Sequence, residues 1–344
     1  MIPIYNIYYM LSYAFRLLQE QGYRDVATED FHHTGELLAA ILCKGVAVQL
    51  KRGLYHSYIR QEGPLAAPRG KLEISASLKT PTLYKKQLIC TYDEFSPNAY
   101  LNRILKTTLL ILLRADISKE RKKAIRKLLV YFAQVDPLKV QNINWQMQYE
   151  RNNQTYRMLI EICRLILQGL LQSTADGATR IMHYLDDMHL SKLYEKFILG
   201  YYQHEHPEMQ VSAPQIAWQV TAGNSALLPR MQTDVVLYSK QNGKRLIIDA
   251  KFYGSNLQKK AYAVRSTLLS AHLYQIFTYV KNWPATPDES VAGMLLYAKT
   301  DADEQPEGNY IISGHPISVT TLDLSGKFQD IAAKLDAIAT QVTT

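Results

Sequence analysis

Cysteine is nearly absent: Cys43, Cys90 and Cys163 are the only three in 344 residues. They are far apart, form no C-x-x-C pair, and each lies in or beside an apolar stretch. That excludes a disulfide framework and a zinc ribbon and predicts buried free thiols in a reducing compartment. Histidine offers no metal site either. His204-Glu205-His206 is not H-E-x-x-H, and the remaining histidines show no ligand spacing. No apolar run approaches the roughly 20 residues needed to span a bilayer, and Met1–Asn6 lacks the basic stretch of a signal peptide. A cytoplasmic protein with no membrane partner is expected.

Nucleotide and hydrolase motifs are missing as well. Gly70-Lys71 is followed by Leu72, Gly243-Lys244 by Arg245, and Gly326-Lys327 by Phe328, so there is no G-x-x-x-x-G-K-[ST]. Any nucleotide hydrolysis in which this chain takes part therefore belongs to another chain. No G-x-S-x-G occurs, no Rossmann glycine pattern follows a strand, and no repeat or low-complexity tract is found.

What is present is ordinary globular material, 47% hydrophobic and 20% charged, enough for two domains. The net charge of +8 favours a polyanionic partner. Tyrosine outnumbers phenylalanine 24 to 8, a skew that suits half-buried surfaces.

Periodicity predicts helices over 4–20, after Asp30 (with Asp30 or Thr34 as N-cap), over 97–115, from Ser118 and over 155–172. Between Val46 and Cys90, glycines and prolines punctuate short alternating runs. A small β-region with an exposed loop from Gly63 to Lys71 is expected there. The Ser118 helix carries Lys119, Arg121, Lys122, Lys123, Arg126 and Lys127, which read either as a solvated face or as a phosphate-facing surface. Ser173–Gly177 is the best linker, dividing the chain into an α+β domain over 1–176 and a second domain over 177–344. The second domain reads as a helix near 190–204 and strands near 209–212, 215–220, 231–238 and 244–253. A helix over 264–282, strands at 291–297 and 308–320, and a helix over 327–341 follow. That order implies an α/β domain, a mixed sheet flanked by helices.

The chemistry concentrates in Thr233–Tyr238 and Leu246–Tyr253, joined across Asn242-Gly243. Asn-Gly between β-formers signals a tight hairpin. With these two as the turn residues, paired positions sum to 485, so Asp234 stands opposite Lys251 and diagonal to Asp249. Asp249 and Lys251 share a face, because side chains alternate along a strand. Two carboxylates and an amine then converge. The mundane reading is a cross-strand ion pair on a solvated face. The apolar run Leu246-Ile247-Ile248 points instead to a central strand, where like charges are costly. Mg²⁺, a hard cation held by one or two carboxylates with waters and phosphate oxygens, would resolve that cost.

An Asp on one strand and Asp-x-Lys on the next, in the order helix, hairpin, helix, strand, resembles the PD-(D/E)xK nuclease superfamily. The proline of that name is absent; Thr233 precedes Asp234. Glu195 matches the acid often found on the preceding helix. Gln275-Ile276-Phe277-Thr278-Tyr279 matches the Q-x-x-x-Y of a subset. Nearly the whole chain resembles the McrC family more closely, in Ile2–Leu11, Arg69–Leu72, Asn98–Leu105 and Leu228–Asp234.

The resemblance implies an endonuclease of a restriction system. Asp234 and Asp249, with Glu195, would hold Mg²⁺; Lys251 would orient the attacking water, and Gln275 would support it. It also implies a partner, a McrB-like AAA+ GTPase ring that recognises double-stranded DNA with modified cytosine. Part of the 1–176 domain would enter that ring, with residues 63–71 the candidate contact. Three other readings stay open on the sequence: a related complex with an unmodified target, a non-cutting GTPase-activating subunit, and a DNA-binding protein without catalysis.

Overall fold

Apolar residues at i, i+3 and i+4 shape the first helix, α1 (Ile4–Ala14), which buries Ile7, Met10 and Leu11. This is a computed structural model that describes residues 2–15, 31, 34–149, 153, 155–173, 187–254, 256–258, 266–284, 286 and 289–344. Asp30 and all but the first residue of the Ser173–Gly177 stretch lie outside them. Two compact units emerge, Gly35–His183 and Met1–Thr34 with Tyr184–Thr344.

In the first of these units, α2 (Thr34–Arg52), α4 (Tyr100–Leu112) and α6 (Tyr156–Ser173) bury Leu37, Ile41, Ile104, Leu105, Ile162 and Ile166. Strands β1 (Ser57–Leu65), β2 (Lys71–Leu72) and β3 (Leu88–Ser96) form an antiparallel sheet in the order β1-β3-β2, beside the short helix α3 (Ile74–Lys79). The helix α2 continues through Val46 to Arg52, beyond the point where the sequence pattern turns β-like, because Val46 is still needed in the core.

The expected loop from Gly63 to Lys71 is shorter than read. Gly63–Leu65 extend β1 and Lys71 starts β2. Its far end is pinned to β3: Arg69 lies 4.0 Å over the Tyr92 ring, and a Cβ on Gly70 (φ 70°) would stand 2.3 Å from the Thr91 carbonyl oxygen. Within the run Asn98–Leu105, the buried Asn102 is structural. Asn102 donates to Tyr55 O and Pro97 O, both at 2.7 Å, and accepts from the Tyr156 hydroxyl at 2.7 Å. Helix α5 (Lys119–Leu129) is capped by Ser118, whose hydroxyl accepts from Arg121 N. Its Lys119, Lys123, Arg126 and Lys127 are exposed.

The second unit follows with α7 (Asp187–Glu205), β4 (Gln210–Ser212), β5 (Gln215–Ile216), β6 (Met231–Gln232), β7 (Val235–Tyr238) and β8 (Lys244–Lys251). Then come β9 (Leu257–Gln258), β10 (Thr267–Leu268), α8 (Ser270–Asn282), β11 (Ser290–Ala298), β12 (Gly308–Ile312), β13 (His315–Leu322) and α9 (Phe328–Thr343). A six-stranded mixed sheet in the order β12-β13-β11-β8-β7-β4 forms its centre, with β8, β11 and β13 parallel. Helix α8 covers one face through Ile276, Tyr279 and Val280, which pack with Ile247, Leu295 and Tyr297. The run 308–320, read as one strand, is a hairpin instead. Ser313 and Gly314 both take φ > 0 (51° and 82°) and turn β12 back onto β13.

The linear division at residue 176 differs from this arrangement in one element: α1 packs with the second unit. Gly200 on α7 allows the approach, since a Cβ there would lie 2.1 Å from the Tyr13 carbonyl oxygen. Tyr9 stacks on Phe328 with centroids 4.1 Å apart, and Asn6 Nδ2 donates to Leu324 O (2.7 Å) and Gly326 O (2.9 Å). All three cysteines are buried, and none forms a disulfide. Among the described residues no helix is long and apolar enough to cross a membrane.

Candidate active site

The site is built on β8, a strand held between β7 and β11 and buried from Leu246 to Lys251. Ile247, Asp249 and Lys251 alternate onto the face that α8 covers. The apolar half of that face makes core. The polar half places Asp249 and Lys251, at 1% and 7% exposure, where charge is expensive.

The hairpin register differs from the expected one by two residues. Val235 pairs with Ile248 and Tyr238 with Arg245, so paired positions sum to 483, and Asp234, at the bend before β7, stands across from Asp249. The cause is the turn. Ser239 N donates to Lys244 O, closing a four-residue loop in which Gly243 (φ 67°) alone takes φ > 0. Asn242 accepts from Lys244 N and donates to Val342 O and Thr343 O at the end of α9. An even shift keeps every side chain on its face, so the convergence survives.

Asp234 is held from both sides. Thr233 Oγ1 donates to Pro214 O at 2.7 Å, and Asp234 Oδ2 accepts from Ala250 N at 2.9 Å. Lys251 Nζ lies 2.5 Å from Asp249 Oδ2 and donates to Gln275 Oε1 at 2.8 Å. Gln275 Nε2 donates to the Tyr279 hydroxyl, which donates to Gln232 O, each at 2.8 Å. The Q-x-x-x-Y pair thus ties the lysine to the backbone just before Asp234, i and i+4 on one helical turn.

Burial and the two neighbouring acids push the Asp234 carboxyl up to about 8. Burial also raises Asp249, with Lys251 opposing it. Both Asp249 oxygens are fully buried and accept no hydrogen bond of ordinary geometry. Glu195 on α7 accepts from Ser191 Oγ at 3.3 Å; its carboxyl is raised chiefly by burial, with Lys251 lowering it and Asp249 raising it. Among the described residues no three His, Cys, Asp or Glu side chains form a ready metal cage, so Glu195 stands beside the aspartate pair rather than completing it.

Two aromatic neighbours escaped the sequence reading. His272 lies three residues before Gln275 on α8, and Tyr297 on β11 pairs with Lys251. Helical spacing from Gln275 would have pointed to the first. Only the β8–β11 register reveals the second.

The fold and site define an α/β protein with a buried pair of carboxylates and one lysine at the end of a central strand. Residues 5–298 match the family described as McrBC 5-methylcytosine restriction system component, and the chain belongs to that family. It is 27% identical over 346 residues to the type IV methyl-directed restriction enzyme EcoKMcrBC of Escherichia coli strain K12, covering 97% of this chain and 96% of that protein. It is also similar to a chain in the half-complex of Thermococcus gammatolerans McrB AAA+ hexamers with bound McrC. That match has TM-score 0.49 and 17% identity, over 98% of this chain and 76% of the other. A second match, to the cryo-EM structure of the Thermococcus gammatolerans McrBC complex, has TM-score 0.40 and 19% identity, over 59% and 58%.

Proposed function

We propose that the chain is the DNA-cutting subunit of a McrBC-type restriction complex, a Mg²⁺-dependent endonuclease of the PD-(D/E)xK type. The observation that carries the proposal is the buried pair Asp234 and Asp249, two carboxylates that face each other with the single ammonium of Lys251 beside them and solvent excluded from both Asp249 oxygens. Such a pair needs a proton or a cation. The donor set fits Mg²⁺, which takes one or two carboxylates and fills its remaining positions with waters and phosphate oxygens.

Asp234 and Asp249 would hold the ion, with Glu195 near enough to adjust their charge. When bound, Mg²⁺ supplies a more acidic water and charge stabilisation at the phosphodiester. Lys251, fixed by Gln275, presents its ammonium to the attacking water or to the charge that develops as the bond breaks. The Gln275–Tyr279–Gln232 relay keeps lysine and aspartates in one geometry. One such centre cuts one strand, so a double-strand break needs two copies.

The partner follows from what the chain lacks. It carries no phosphate-binding loop, so a restriction complex that consumes nucleotide needs an AAA+ GTPase ring from another chain. The Escherichia coli relative is named methyl-directed, and we extend to this chain a target of double-stranded DNA with modified cytosine. The Gly35–His183 unit is the proposed ring-binding part, with the turn ending at Arg69-Gly70-Lys71 as contact.

The test mixes the chain with its partner GTPase, Mg²⁺, GTP and cytosine-methylated plasmid, comparing wild type with Asp249→Ala. Cleavage by wild type alone, with GTPase stimulation equal in both, is the expected result. Equal cleavage by both would remove Asp249 from the chemistry. Stimulation without cleavage on any modified or plain DNA would make the chain an activating subunit only.

A further inference from the structure

Beside the reactive face lies a second polar assembly that the metal chemistry does not use. Tyr297 is fully buried, and its hydroxyl stands 2.9 Å from His272 Nδ1. No acceptor other than that nitrogen serves the hydroxyl hydrogen among the described residues. A buried hydroxyl hydrogen left without an acceptor is costly, so the tyrosine donates and Nδ1 accepts. The imidazole proton must then sit on Nε2.

The ring is held in that pose. It stacks on Tyr253 with centroids 5.1 Å apart and planes at 24°, and Tyr253 follows Lys251 by two residues. Burial, together with the nearby Lys251 ammonium, lowers His272 to about 4, so the ring is neutral at physiological pH. Nε2 makes no hydrogen bond among the described residues, and His272 is partly exposed, on the side of the sheet that carries Asp249 and Lys251.

We propose that His272, locked by Tyr297 as its Nε2–H tautomer, is a substrate-contacting residue that donates to a phosphate oxygen of the DNA strand next to the cut. The inference rests on the nuclease reading above. A neutral N–H suits this place. It binds a phosphate oxygen without setting a second cation against Lys251, and without competing with Lys251 for Asp249. Tyr297 acts through His272 and is a positioning residue.

Two measurements test it. In the full chain with ¹⁵N-labelled histidine, long-range proton–nitrogen correlation should show His272 protonated at Nε2, and Tyr297→Phe should release it to a mixture of tautomers. With the partner ring present, His272→Ala should raise the KM for DNA about tenfold and leave kcat within about twofold, the signature of lost uniform binding. His272→Gln, whose amide can reach the Nε2 position with an N–H, should recover most of that loss. An Nδ1-protonated ring, or a KM unchanged in His272→Ala, would overturn the proposal.

DNA affinity in the Asp249→Ala background separates the two readings. A tenfold weakening on adding His272→Ala supports the contact even if no cutting is found. Unchanged affinity there, with wild type cutting normally, sinks the contact and spares the nuclease.

Discussion

Glu36 and Asp249 are both buried carboxylates, at 7% and 1% exposure, one in each unit. Glu36 is fully served: Ser118 donates to it from its backbone N at 3.0 Å and from Oγ at 2.7 Å, and Arg121 Nε lies 3.9 Å away. Asp249 receives no ordinary hydrogen bond; it faces one lysine and a second carboxylate. A buried acid with its donors in place stabilises the fold. One without them costs stability and is retained for what it can bind. On the surface the contrast disappears: Arg60 and Asp93 occupy opposite register positions on β1 and β3, both exposed, where charge costs and contributes little.

The contrast predicts opposite outcomes for the two acids. Asp249→Asn should lower cleavage by about a thousandfold or more while leaving thermal stability equal or higher. Glu36→Ala should do the reverse. Ser118 loses its acceptor and Arg121 a nearby counter-charge, unfolding free energy falls by about 1–3 kcal/mol, and cleavage by the folded fraction persists; denaturant titration beside a cleavage assay reads both. Gln275→Ala should come next in size, lowering kcat about 10- to 100-fold, because Lys251 loses the acceptor that aims it. Single-turnover rates would show this as slower chemistry rather than weaker DNA binding.

The smallest effect is in pH. Asp234 is raised from its ordinary value of 3.8 to about 8, so its contribution to metal-free stability is full below about pH 4 and is lost as pH rises through 8. Asp234→Asn carries no such proton. Its melting temperature without metal should match or trail wild type at pH 4 and exceed it at pH 9. A difference independent of pH would contradict the buried-pair assignment.

Much of the site was legible in the sequence, and the reason is the two-residue period of a strand. Leu246-Ile247-Ile248 marks a central strand, and alternation then places Asp249 and Lys251 on one face whatever the turn does. The turn is where the sequence pattern misleads. Asn242 looks like half of a two-residue turn, yet its side chain serves Lys244 N and the end of α9, and the loop takes four residues. The two-residue slip moved Asp234 from opposite Lys251 to opposite Asp249, which makes the acid pair closer and its charge problem sharper. Contacts between distant segments left no local signal. Nothing in Ile4–Ala14 announces that it docks beside Gly200, and Tyr297 meets His272 only because β11 lies parallel to β8.

The central claim is that Asp234 and Asp249 form a cation site, and calorimetric titration of Mg²⁺ into the purified chain tests it without partner, nucleotide or DNA. Wild type should bind with release of protons near pH 7.5, seen as a heat that varies with the buffer's ionisation enthalpy, because Asp234 must give up its proton. Asp249→Asn should abolish the binding. Binding that is indifferent to both aspartates, or that releases no proton, would contradict the account.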